Sequence, residues 1–125
     1  RAEDLEVIRA RQAEFAAAVR EQNALAMIAT NEAFHSAIAE AGRNPYFNSL
    51  FSRLLNEGRR FLRLYYQSYD DRLPQQFVDE HEAMIAAIAA RDTVAAERLG
   101  KAHAEQIAQQ IQKLMVGGEP LDIAL

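Results

Sequence analysis

The chain contains only three histidines, His35, His81 and His103. Each falls on the apolar side of a different stretch in which apolar residues recur every three to four positions, the spacing of an amphipathic helix. Asn31 precedes His35 by one helical turn, so its side-chain oxygen lies on the same side of the helix. Imidazoles and one amide oxygen can bind a transition metal and leave positions open for an anion. The spacing alone is equally compatible with three hydrogen-bonded core histidines.

Known catalytic motifs do not fit this sequence. Glu32 and His35 form one E-x-x-H pair, but a carboxylate-bridged dimetal bundle needs a second pair, and Val78 and Gly100 stand where its glutamate would be. The run H-E-A-M-I resembles the zinc-protease motif H-E-x-x-H, yet its fifth residue is Ile85. Glycine-rich phosphate loops, nucleophile elbows and dinucleotide fingerprints are absent from the sequence. The sequence therefore gives no positive indication of an enzyme.

Composition predicts one soluble domain. The chain has 125 residues, of which 50% are apolar and 26% charged, and its apolar runs are shorter than the roughly 18 residues of a membrane span. Without cysteine it has no disulfides or thiolate metal sites, which favours a cytoplasmic location. The net charge of −4 argues against DNA binding by this domain itself. The chain begins with Arg1 rather than Met, so we expect an upstream part.

The histidine-bearing stretches belong to an all-α pattern. Glycine and proline stand mostly between long alanine-rich segments, and no segment alternates like a half-buried strand. We predict an antiparallel bundle of about five helices. The first two cover residues 2–21 and 24–41, the third runs from residue 45 towards a connection near residues 70 and 71, and the last two cover residues 74–90 and 92–116. Asn23, Asn44 and Asp92 are predicted N-caps, and Gly42 is predicted to be left-handed. The tail, residues 117–125, is predicted to be irregular.

The third predicted helix combines an apolar side with positive charge. Its predicted core positions are Phe47, Phe51, Leu54, Gly58, Phe61 and Tyr65. Residues 43–72 carry six arginines against three acids, a net charge of +3 in an otherwise acidic chain. Arg60 and Arg53 flank the apolar side and are candidates to bind an anionic ligand beside a metal, since guanidinium binds carboxylates with two hydrogen bonds. The alternative is that both arginines are ordinary solvated surface residues.

Several short matches point to one family. They are N-E-A-F-H at positions 31–35, A-G-R-N-P at positions 41–45, the Glu80-His81 pair, the A-A-I run at positions 86–88, and the later Asp92, Ala96 and His103. Together these resemble the FCD domain, the C-terminal effector-binding domain of the FadR subfamily of GntR-type bacterial transcription regulators. The similarity extends from the first predicted helix to about Met115, so residues 1–116 are interpreted as one FCD-like effector-binding and dimerisation domain.

The resemblance implies a ligand set and a biological role. In the family, D/N-x₃-H and two later histidines hold a divalent metal beneath a small organic acid, which implies Asn31, His35, His81 and His103 as ligands here. Zinc is the first choice, and nickel or manganese are alternatives. The family more often has Asp at the position of Asn31, a change that removes one negative charge. It also implies a homodimer, a small carboxylate effector, and DNA contact only through an upstream winged helix-turn-helix domain that this chain lacks, together with the first FCD helix.

The leading interpretation is therefore a metal-containing sensor domain without catalytic turnover and without a membrane partner. Two other interpretations remain open at this stage. One is a mononuclear metal-dependent hydrolase or isomerase on a helical bundle, in which the same histidines would activate water. The other is a metal-free dimerisation module whose histidines serve only the core.

Overall fold

The computed structural model describes residues 1–116, which form six α-helices and no strand. The all-α bundle is confirmed, with six helices rather than about five. The predicted tail, residues 117–125, lies outside the described residues. The helices are α1 (Ala2–Arg20), α2 (Ala24–Ala41), α3 (Pro45–Glu57), α4 (Arg59–Gln67), α5 (Gln75–Ala89) and α6 (Thr93–Val116).

The predicted N-caps are confirmed. The side chains of Asn23, Asn44 and Asp92 each accept a hydrogen bond from the backbone N–H three residues later, at 3.0–3.1 Å. These bonds satisfy amides that the first helical turn leaves without partners. The prediction for Gly42 is wrong. Gly42 has right-handed geometry with φ −73°, and the next residue, Arg43, takes the left-handed conformation with φ 56°.

The third predicted helix, which begins at residue 45, is divided into α3 and α4. Gly58 lies between them with φ −80° and ψ −5°. Its N–H still bonds the carbonyl of Leu54, and its own carbonyl accepts from Leu62, so the break is slight. Glycine is a poor helix former because its backbone loses much conformational freedom on ordering, and this explains why the interruption falls here.

Two helical hairpins form the body of the described domain. Helices α1 and α2 pack together, α5 packs with α6, and α1 joins the hairpins by packing on α5. Helix α4 contacts α2 and α6, whereas α3 contacts only α2 and α4. Two buried apolar clusters result: one centres on Phe15, Met27, Tyr65 and Phe77, and the other on Ile8, Phe34 and Met84. None of these helices is long and apolar enough to cross a lipid bilayer.

The predicted core role of α3 is wrong. Helix α3 has no buried residue, and Phe47, Leu54 and Phe61 of the predicted stripe are 51%, 57% and 39% exposed. Tyr65, at the α4 end of the same stripe, is buried as predicted. The apolar periodicity is real, but the neighbours of α3 within residues 1–116 leave Phe47 and Leu54 more than half exposed. Helical spacing fixes which side of a helix is apolar and leaves open what covers it.

Candidate metal centre

The three histidines come together from three helices. His35 of α2 lies 5.0 Å from His81 of α5 and 5.6 Å from His103 of α6, and the last two rings are 5.1 Å apart between centroids. One nitrogen of each ring lies within 4.8 Å of a nitrogen on the other two. The pattern of one histidine on each of three apolar helix sides thus becomes a compact triangle of possible ligands.

His81 is held by a residue of α1. Its Nδ1 lies 2.8 Å from Oε1 of Gln12, whose amide Nε2 donates to the carbonyl of Val78 at 3.2 Å. Because the amide nitrogen donates to Val78, the amide oxygen faces His81 and accepts a hydrogen bond from Nδ1–H. The other nitrogen, Nε2, then carries a free lone pair. The ring is also fixed by stacking on Phe34, at 4.2 Å between centroids, and by a tilted contact with Phe15 at 4.7 Å.

His103 shows the same arrangement with a carboxylate. Its Nδ1 lies 3.1 Å from Oε2 of Glu80, one residue before His81 on α5. Its Nε2 is buried and has no hydrogen-bond partner. Carboxylate or carbonyl partners on the far nitrogen are the usual way in which a metal-binding histidine is oriented. The Nε2 atom of His103 is therefore free to bind a metal, and two other histidines lie beside it. This set of nitrogen donors fits a transition metal.

Burial keeps His35 and His81 neutral near neutral pH. Burial, and to a lesser degree the neighbouring His35 and His103, lowers the pKa of His81 to about 2. Although part of His35 reaches the surface, burial and then the proximity of His103 lower its pKa to about 4. A neutral imidazole is the form that binds metal, since protonation removes the lone pair. Proton competition at these two histidines is therefore weak near neutral pH.

A small cavity adjoins the histidines. Asn31, His81, His103 and Tyr65 line it, and the side chains of α4 close it on one side. Its free volume of about 10 Å³ is the space of roughly one water molecule. Asn31, predicted as the oxygen ligand, is 7% exposed and thus shares the buried space next to His81 and His103. Asn31 and two of the three histidines thus border the same small space, whereas His35 is not among the residues that line it.

One known family matches most of this chain. The model of the FCD domain matches residues 1–106. The chain belongs to the FCD family. FCD domains are effector-binding domains of GntR-family transcription regulators, which are generally not enzymes. No curated protein and no solved structure gave a significant match. The predicted domain limit at residue 116 extends beyond the matched range and stays a prediction.

The FCD domain does not place the two predicted arginines at the cavity. Arg53 is 78% exposed and pairs with Glu57 at 3.2 Å, along one side of α3. Arg60 is also exposed, on α4. Neither residue lines the space beside the histidines. Binding of an anionic effector by Arg60 or Arg53 stays a prediction.

Three further residues of this FCD domain lie around the histidines and were not predicted from the sequence to do so. Gln12 follows Ile8 by one turn and precedes Phe15 by three residues, so a polar residue on the apolar side of α1 was the available signal. Glu80 adjoins His81 in sequence but reaches His103, a pairing that only the packing of α5 on α6 creates. Tyr65 was placed among core residues, and nothing in its spacing indicated that its hydroxyl lies without a partner.

Proposed function

We propose that this FCD domain binds a divalent transition metal through His35, His81 and His103, with Asn31 as an oxygen ligand. Zinc is the first choice, and nickel or manganese are alternatives, because imidazole suits these borderline metals. The proposal rests on the convergence of three histidines, two of which have their Nδ1 atoms held by Gln12 and Glu80. A bound metal would supply a Lewis-acid position for an oxygen of an incoming ligand.

The effector that this site favours is a small carboxylate. Three neutral imidazoles and a neutral amide leave the full charge of a divalent ion facing the cavity, and that charge attracts an anion. The aspartate that relatives more often carry at position 31 would cancel part of that charge. At equal metal occupancy, we expect an Asn31→Asp variant to bind acetate more weakly than the wild type. Tighter binding by the variant would refute the charge argument.

The biological role that follows is the control of DNA binding by another domain of the regulator. An upstream winged-helix domain would contact DNA, and effector binding in the FCD domain would change the placement of the two winged-helix domains in a dimer in the cytoplasm. Regulation requires that the effector bind one arrangement more tightly than the other. A tenfold change in operator affinity corresponds to about 1.4 kcal/mol of coupling.

The exposed side of α3 supports the homodimer. Phe47, Leu50 and Leu54 are each more than half exposed and share one side of the helix by spacing. Arg53 and Glu57 flank this side and carry opposite charges. In an antiparallel pair of α3 helices related by a two-fold axis, Arg53 of each copy would approach Glu57 of the other. We infer that a second copy of the chain covers this side.

The metal proposal is tested by elemental analysis of protein purified without chelator or nickel resin. We expect near one metal per chain in the wild type and a loss of most of it in His81→Ala. Glu82→Ala is the matched control, since Glu82 is exposed and adjoins His81 on α5. Wild-type protein that is empty and refuses added zinc, nickel and manganese would favour the metal-free dimerisation module. Turnover of a candidate acid that depends on His81 would favour the hydrolase or isomerase.

The dimer is tested by the solution mass of wild type and Leu50→Glu. Leu50 is 57% exposed, so the substitution leaves the fold of one chain intact but places a charge in the apolar contact between the two copies. We expect a dimer for the wild type and a monomer with unchanged helix content for the variant. A wild-type monomer, or a Leu50→Glu dimer, would show that α3 is not the dimer interface.

A further inference from the structure

Tyr65 carries a buried hydroxyl without a partner. The residue is 1% exposed, and its hydroxyl oxygen forms no hydrogen bond within the described structure. Its ring is fixed by edge-on contacts with Phe77 and Tyr69, at 5.4 and 5.6 Å between centroids. Buried polar groups in folded proteins nearly always have partners, because an unpaired one is costly. A phenylalanine would make the same ring contacts without that cost, so the hydroxyl needs a separate explanation.

The surroundings of this hydroxyl connect it to the histidines. Tyr65 lines the same cavity as Asn31, His81 and His103. Burial raises the pKa of Tyr65 well above its usual value, and Tyr69 and then Glu80, the partner of His103, raise it further. The hydroxyl of Tyr65 lies near Tyr69 but forms no hydrogen bond with it. The hydroxyl is therefore protonated at neutral pH and available as a donor, on a residue that lines the cavity beside His81 and His103.

Two residues that line this cavity, Tyr65 and His103, each carry a buried polar atom without a partner, and the two atoms have complementary chemistry. His103 Nε2 offers a lone pair, which suits a metal, and Tyr65 offers a proton, which suits an acceptor. The space between the elements that carry them has room for about one atom of oxygen size. An oxygen that carries negative charge satisfies both requirements, because it can bind a metal and accept a hydrogen bond together. A protonated amine satisfies neither.

We propose that the Tyr65 hydroxyl donates a hydrogen bond to the oxygen of the small carboxylate that binds at the metal centre. The inference rests on the proposed function and sharpens it: the effector enters with one carboxylate oxygen, held between α4 and the histidines of α5 and α6. Tyr65 is then a binding residue that selects an oxygen anion, and it contributes little to holding the metal itself.

The test uses cobalt as a spectroscopic substitute for zinc and acetate as the probe. Acetate is titrated into the Co²⁺-loaded chain, and its dissociation constant is read from the visible absorption of the metal. We expect Tyr65→Phe to weaken acetate binding by about tenfold or more, the usual effect of losing a hydrogen bond to a charged group. Its Co²⁺ affinity, measured by competition with a chelator, should stay within about threefold of wild type, since the tyrosine is not a metal ligand.

Tyr69→Phe is the matched control. Tyr69 packs against the same rings, Tyr65 and Phe77, but does not line the cavity. We expect its acetate affinity to match that of the wild type. Equal acetate affinity in wild type and Tyr65→Phe, with Co²⁺ bound in both, would overturn the inference and leave the metal proposal standing. A wild type that binds no Co²⁺ would overturn both.

A second measurement serves if Tyr65→Phe does not fold. The Co²⁺-free, Zn²⁺-loaded wild type is labelled with 3-fluorotyrosine, which gives one fluorine signal for each of the four tyrosines. Signals of Tyr46, Tyr66 and Tyr69 are identified by their loss in the phenylalanine variants. We expect acetate to shift the remaining signal most. An unchanged Tyr65 signal at saturating acetate would overturn the inference.

Discussion

Helices α3 and α5 are similar in length and amphipathic character but differ in what covers them. Helix α5 has 15 residues, six of them buried, and packs against α1 and α6. Helix α3 has 13 residues, none of them buried, and carries the stacked pair Phe47 and Phe51 at its surface. The same amphipathic spacing therefore leads to two different structural outcomes in one domain. On α5 it builds a core around His81, and on α3 it provides a side that a partner can cover.

The histidine layer explains why the α5 side is so well covered. His81 contacts Phe15 of one apolar cluster and Phe34 of the other, so the polar centre lies between the two parts of the core. Buried polar groups are tolerated there because Gln12 and Glu80 pair with two of the rings. A site built on packed helices holds its ligands more precisely than one at the exposed end of the domain.

The largest expected effect compares one phenylalanine from each region. Phe77 on α5 is 3% exposed, whereas Phe47 on α3 is 51% exposed. Phe77→Ala should lower the free energy of unfolding by about 3–5 kcal/mol, because it leaves a cavity in the core. Phe47→Ala should lower it by less than about 0.5 kcal/mol in a single chain. Urea unfolding at concentrations where the chain is monomeric measures both. Equal losses would mean that α3 is covered within the chain itself.

The next effect is the pH dependence of the metal-free protein. Unfolded histidine takes up a proton below pH of about 6.5, whereas the folded-state pKa values of His35 and His81 are about 4 and about 2. The unfolded state thus binds more protons than the folded state below a pH of about 6.5, so the free energy of unfolding must fall as the pH falls. The stabilising contribution of the two neutral histidines is fully present above that pH. Each histidine should contribute a slope of about 1.4 kcal/mol per pH unit down to its folded pKa.

Urea unfolding in the presence of chelator, between pH 7 and pH 5 or so, measures this slope. A His35→Leu variant provides the comparison, because it removes one of the two groups and keeps an apolar side chain of similar size. We expect its slope to be smaller by about 1.4 kcal/mol per pH unit. An identical slope in variant and wild type would show that His35 is protonated in the folded state. Helix α3 contains no histidine, so substitutions there should leave the slope unchanged.

The smallest expected effect compares two arginines of the basic segment. Arg59 at the start of α4 pairs with Glu32 of α2 at 2.5 Å, whereas Arg53 pairs only within α3, with Glu57. Arg59→Ala should cost about 0.5 kcal/mol in unfolding free energy, and Arg53→Ala less, since exposed ion pairs contribute little. The loss for Arg59→Ala should shrink at high salt. A larger loss for Arg53→Ala would mean that α3 has a partner that the single chain does not supply.

Much of this domain could be predicted from local pattern. The starts of three helices are predicted by the N-cap residues Asn23, Asn44 and Asp92, whose short side chains accept hydrogen bonds from backbone N–H groups. These bonds depend only on residues that are close in sequence. The apolar sides of α1, α2, α5 and α6 follow from helical spacing for the same reason. So does the presence of one histidine on each of three helices. The matches that resemble the FCD domain supplied the ligand set, which spacing alone left open.

Other features depend on contacts between residues far apart in the chain. Gln12 meets His81 across 69 positions, and Glu80 meets His103 across 23. No periodicity encodes such pairs, because the approach of α1 to α5 and of α5 to α6 decides them. The exposure of α3 has the same origin: its spacing marks an apolar side, and only the arrangement of all six helices determines that no neighbour in the described domain covers it. The sequence by itself determined the helices and their histidines, whereas the tertiary structure decided which histidine nitrogens face one another, because hydrogen bonds from distant side chains fix their orientation.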